Sequence, residues 1–159
     1  MQNVEITISK AQVLDEVAKL TAYTGAKSMT DQDTGAYERI ALTDADRDLL
    51  ERYWAEACAS VTEALKRWVI ADPGTAIGHH PDISDDYVVM VSLPNRWSEN
   101  EHSAVTLSLV SYMANLIAGN WFMVTAPDKA QGCAAIAGAQ LEQAVRSLYH
   151  KRAPERPNV

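Results

Sequence analysis

Residues 98–124 read SENEHSAVTLSLVSYMANLIAGNWFMV, and from 104 to 124 there are 21 residues without a charge. A segment that apolar must be buried, either across a bilayer or as the central helix of a soluble bundle. Ser108, Ser111 and Asn115 fall at i, i+3 and i+7, one polar stripe on one helical face, and Asn120 adds another polar group. A lipid-facing helix has no use for that stripe. The N-terminus, MQNVEITISK, carries no basic region, apolar run and small-residue cleavage site, so no secretion signal is expected. Together these features predict a buried spine with Leu109, Met113, Leu116 and Ile117 inaccessible, and no membrane partner.

Around this spine the chain has the size of one domain, about two thirds of whose unfolded surface can be buried around a single core. The expected division is one helical domain over 1–152 and an extended tail over 153–159, where APERPNV is polar and proline-rich. The formal charge is −7 at pH 7, which favours solubility and repels nucleic acid at long range. Two cysteines, Cys58 and Cys133, have no paired spacing, which argues against a disulfide scaffold or zinc module and for a reducing compartment.

In chain order, Val4, Ile6 and Ile8 alternate with polar residues as in a half-buried strand. Ser9 with Gln12 has capping-box spacing, and Val13, Leu14, Val17 and Leu20 continue as an amphipathic helix of about three turns that Gly25 ends. Residues 24–41 show no sustained period and are expected to be a long loop. Within it, 31–35 resemble the start of a calcium loop, but Ala36 and Leu42 occupy the positions that require Gly and Glu, which leaves a solvated acidic turn.

Thr43 with Asp46 opens the clearest helix, with Leu50, Trp54, Ala57, Cys58, Val61, Leu65, Trp68 and Val69 on its apolar face. It is expected to run about seven turns, to the Asp72-Pro73-Gly74 stop. Residues 87–93, YVVMVSL, form the strong strand, whose partner is either 4–8 or the same segment of another subunit. Ser98 and Glu101 are expected to cap the spine, and Thr125 with Pro127 and Asp128 to open a last helix. That helix is rich in Ala and Gly in its first half, which permits close approach to Trp121 and Phe122. The predicted fold class is therefore mainly α, a bundle of about four helices with a minor β element near 4–8 and 87–93.

Chemistry-bearing patterns are sparse. His79 and His80 with nearby Asp82, Asp85 and Asp86, and His102 at the start of the spine, are a conceivable metal set, but no helical HxxxH or ExxH pair supports it. Cys58 and Cys133 lie on apolar helix faces and are expected as core thiols. No GxSxG, P-loop, GxGxxG or HExxH occurs, so no catalytic, cofactor-binding or metal residue is assigned and no cofactor is expected. Trp97, in the polar connection NRWSEN, is either a staple onto the following helix or an anchor on a partner.

The order of elements, with DLLERYWAEACASVTEALKRW (48–68), a β-rich excursion, and two C-terminal helices ending in LEQAVRSLYHKRAPERP, resembles the head-to-tail connector (adaptor) proteins of tailed bacteriophages. The likeness covers 43–154 in layout and in the basic ending after Leu148-Tyr149, with Lys151 and Arg152; the 24–41 segment does not align to it. It implies a non-enzymatic virion subunit, assembled in the bacterial cytoplasm as a homo-oligomeric ring beneath the portal. Portal and tail-completion proteins are its implied partners, and DNA only its passing cargo. An acidic channel surface suits such sliding. Contacts are expected through 87–93, 24–41 and the tail, with Tyr87, Val89, Val91, Trp97, Tyr149 and Arg152 as the partner-binding candidates. The alternatives are a small cytosolic enzyme with a His/carboxylate metal site and a monomeric protein-binding module.

Overall fold

The computed structural model describes residues 1–70 and 86–154. Strand β1 (Gln2–Ile8) is followed by helix α1 (Lys10–Ser28), short helix α2 (Ala36–Ile40), α3 (Arg47–Leu65), strand β2 (Tyr87–Leu93), α4 (Glu101–Thr125) and α5 (Pro127–Tyr149). The architecture is the mainly α bundle with a small β element that the sequence predicts.

Helix α4 is its axis. By length and composition it is apolar enough to cross a membrane, and here it is packed against α1, α2, α3, α5 and β1. Leu109, Met113 and Ile117 are fully buried. Leu116, expected beside them, is only partly buried and lines a surface groove. The polar stripe is satisfied largely within its own helix: Asn115 Nδ2 donates to the Ser111 carbonyl oxygen at 2.8 Å, so Asn115 needs no partner on a neighbouring helix.

Ser9 caps α1 by accepting from the Gln12 backbone N–H at 3.3 Å. The helix does not stop at Gly25 but continues to Ser28, about five turns rather than three. Gly25 instead marks a crossing: a Cβ there would lie 3.1 Å from the Tyr37 Cα. This close approach admits α2, which the expected long loop conceals, with Ala36 and Ile40 buried under it. Thr43 and Asp46 form their capping box around a 3₁₀ turn, Asp44–Asp46, and Lys10 Nζ bonds Glu51 at 2.5 Å to tie α1 to α3.

Helix α3 ends at Leu65, short of the seven turns expected. Trp68 and Val69 continue its apolar period, but the chain turns there and joins the sheet. Val69 bridges Val91, Ser92 N–H donates to the Trp68 carbonyl, and Ile70 N–H donates to the Met90 carbonyl. On the other edge β2 pairs antiparallel with β1, from Gln2 opposite Leu93 to Ile8 opposite Tyr87. This register places Ile6, Ile8, Tyr87, Val89, Val91 and Leu93 on one buried face.

Two expected caps are absent. Ser98 contributes only its carbonyl to the turn before α4, and Asn100 stands at the N-cap without a side-chain bond. Thr125 is still helical, its hydroxyl donating to the Trp121 carbonyl. Ala126 alone separates α4 from α5, and Pro127 takes the first turn of α5.

Candidate functional site

Four of the six partner-binding candidates lie inside the subunit. Tyr87, Val89, Val91 and Trp97 are at most 7% exposed, because β2 is flanked on both edges and turns its apolar face to the core. Tyr87 reaches Thr62, hydroxyl to hydroxyl, at 3.0 Å. Trp97 does not face outward as an anchor: its indole N–H donates to the Ser147 carbonyl at 2.9 Å, inside the last turn of α5. These four are core residues, a correction to the expected contact set.

Tyr149 and Arg152 are exposed, and the fold surrounds them with cations distant in sequence. Arg67 Nη1 donates to the Tyr149 hydroxyl at 2.9 Å, while the Tyr149 ring meets Trp68 edge-on with centroids 5.2 Å apart. Arg96 and Arg152 exchange two bonds: Arg152 N–H donates to the Arg96 carbonyl, and Arg96 Nη2 donates to the Arg152 carbonyl at 2.8 Å. Lys151 bridges Trp97. Arg67, Arg96, Lys151 and Arg152 are all exposed, and no carboxylate among the described residues forms an ion pair with any of them. Arg67 and Arg96 carried no sequence signal; only the closing of β2 against 68–70 and of α5 against Trp97 brings them to one place.

A second surface is apolar. The outer side of α4 and the first half of α5 line a groove of about 340 Å³ with Leu116, Gly119, Met123, Pro127, Ala130 and Ala134. Met123 and Val124 are 68% and 74% exposed beside it. From 131 to 141 the chain has no charge, and Gly132, Ala134, Ala135, Ile136, Gly138 and Ala139 face outward. The small residues of α5 were expected to face Trp121 and Phe122. Only part of the set is used inward: Gly119 of α4 comes close to Cys133, where a Cβ on the glycine would lie 3.4 Å from the Cys133 Cβ.

Cys58 and Cys133 are free and buried; burial pushes the Cys58 thiol up to about 12 and raises Cys133 as well, the environment of a core thiol rather than a nucleophile. His102 Nε2 donates to the Glu5 carbonyl at 2.8 Å, securing β1 to the start of α4. His79, His80, Asp82 and Asp85 lie outside the described residues. Among the described residues no three His, Cys, Asp or Glu side chains gather to hold a metal. In the acidic turn, Asp33 pairs with Arg39 at 2.7 Å, which holds its carboxyl below the usual range.

Comparison with protein-family models, curated proteins and solved structures finds no match for this chain.

Proposed function

We propose that this chain is a structural subunit of a tailed-phage head-to-tail connector, assembling with its own copies into a ring below the portal through which DNA passes, and meeting the portal and a tail-completion protein. The observation that carries this reading is the uncharged outer face of α5 together with exposed Met123 and Val124. A subunit bearing −7 charges that leaves such a face to water presents it for contact with protein. Small side chains at Gly132, Ala135 and Ala139 let a neighbouring backbone approach closely. The layout of helices around a small sheet supports the same assignment, and the role is structural, not catalytic.

The monomeric binding module is the second reading, favoured by the largely apolar groove between α4 and α5, a place for apolar side chains of a partner segment. Size-exclusion chromatography with mass measurement, followed by electron microscopy, separates the two. Rings of about a dozen copies that dock on purified portal support the connector. A monomer at every concentration, with no binding to portal, rejects it.

A further inference from the structure

We infer that neighbouring copies in the ring associate head to tail, the cationic cluster of one subunit receiving the acidic end of the next. This rests on the ring reading and assigns it an interface.

The cluster lies where α4 begins. His150, next to Tyr149 and Lys151, approaches Glu101 at 4.0 Å, and Arg96 and Arg152 hold each other's backbones just before and after. Among the described residues Glu5, Glu99 and Glu101 are the acids near this end, and the four cations outnumber them. The opposite end of α4 is marked by Trp121, whose indole N–H donates to the Ile40 carbonyl at 2.6 Å. About 30 Å of helix separates Trp121 from Glu101. Helix α3 runs antiparallel to α4, with Ser60 against Tyr112 in its second half, so its start lies toward the Trp121 end. Exposed Glu38, Asp44 and Asp48 lie within eight residues of Ile40 in the chain and so toward that end, and none forms an ion pair with a cation among the described residues. Arg47, in the same segment, has no carboxylate partner among the described residues.

The subunit is therefore polarised along its long axis despite its net negative charge. At physiological salt a charge is felt over only about 8 Å, so the facing ends, not the total charge, decide whether two copies attract. Two unlike surfaces on one chain make a heterologous contact, which closes into a ring when the rotation between copies permits. The cluster is assigned to carboxylates rather than DNA phosphates because the complementary surface is already present on the same molecule.

The test uses the full chain in four forms: wild type, Arg96→Glu/Arg152→Glu, Asp44→Lys/Asp48→Lys, and an equal mixture of the two variants. All four substituted positions are exposed, and circular dichroism checks each fold. Mass photometry at low and moderate salt reads the assembly. Each variant alone should associate at least about tenfold more weakly than wild type; the mixture, in which reversed ends face each other, should recover rings. Rings that form equally in every variant overturn the pairing and leave the connector reading standing. So do variants that assemble normally but lose retention of DNA, which would assign the cluster to phosphates. A wild type that stays monomeric overturns both.

Discussion

Trp97 Nε1 donates to the carbonyl oxygen of Ser147 at 2.9 Å, with both residues buried. One bond thus fixes the turn that leaves β2 to the last turn of the last long helix. Replacing Trp97 by Phe deletes the donor and leaves the Ser147 carbonyl with only the His150 N–H, so the lost bond costs about 0.5–1.5 kcal/mol in addition to the lost packing volume. Trp54 provides the control, since its indole nitrogen is buried without a hydrogen-bond partner among the described residues. Trp54→Phe removes an unmet polar group along with some volume, so its stability should stay within about 1 kcal/mol of wild type. Urea unfolding measures both; equal losses at the two sites would refute the distinction.

Leu109 and Leu107 sit on one helix with opposite fates, the first fully buried and the second 63% exposed. Leu109→Ala should cost about 2–5 kcal/mol through the cavity it leaves. Leu107→Ala should change monomer stability by less than about 0.5 kcal/mol. Thermal unfolding that ranked them the other way would contradict the packing around α4.

The glycines divide by what surrounds them. A Cβ at Gly132 meets nothing within 4 Å, so Gly132→Ala should raise stability by about 0.5–1 kcal/mol through helix propensity alone. At Gly25 the obstacle is the Tyr37 backbone at 3.1 Å. Gly25→Ala must displace α2, and the gain should vanish or reverse. A comparison of melting temperatures reads the sign directly.

Alkali should unfold this protein through two buried acids. Burial raises Cys58 from 9.0 to about 12 and Tyr87 from 10.0 to about 12, the latter opposed by its bond to Thr62. Both are protonated in either state at lower pH, so their contribution is fully present there. As pH rises through 9 to 12 the unfolded chain loses these protons first, and stability falls progressively. Each tenfold difference in proton affinity is worth about 1.4 kcal/mol, so the loss amounts to several kcal/mol. Cys58→Ala should flatten the lower part of that decline in urea titrations at stepped pH; an unchanged slope would show the thiol to be uninvolved.

The strands and long helices were legible because their periods are long enough to count: Val4, Ile6 and Ile8 alternate, and α3 repeats from Leu50 to Leu65. Five residues make no period, so α2 was hidden in the 24–41 segment. Trp68 and Val69 kept the helical spacing but found a better use for their backbone groups along β2, a tertiary gain that local pattern does not contain. The small residues of α5 announced close packing without saying on which side. The cationic cluster was invisible for a simpler reason: Arg67, Arg96 and Arg152 are strangers in the sequence, and only topology makes them neighbours.

The pairing of Gln2 with Leu93 also dictates an order of events in time. While the chain is being synthesised, β1 has no strand to join until β2 has been made, and Ile6 and Ile8 wait with their apolar faces uncovered. Closing that sheet shuts the loop between Ile8 and Tyr87, 78 residues long, an entropic cost met before any of its contacts form. Helices α4 and α5, joined through Ala126, need only fold back on each other, and local contacts of that kind form fast. Refolding should therefore show a rapid helical phase, with the two ends of the first half of the chain meeting last.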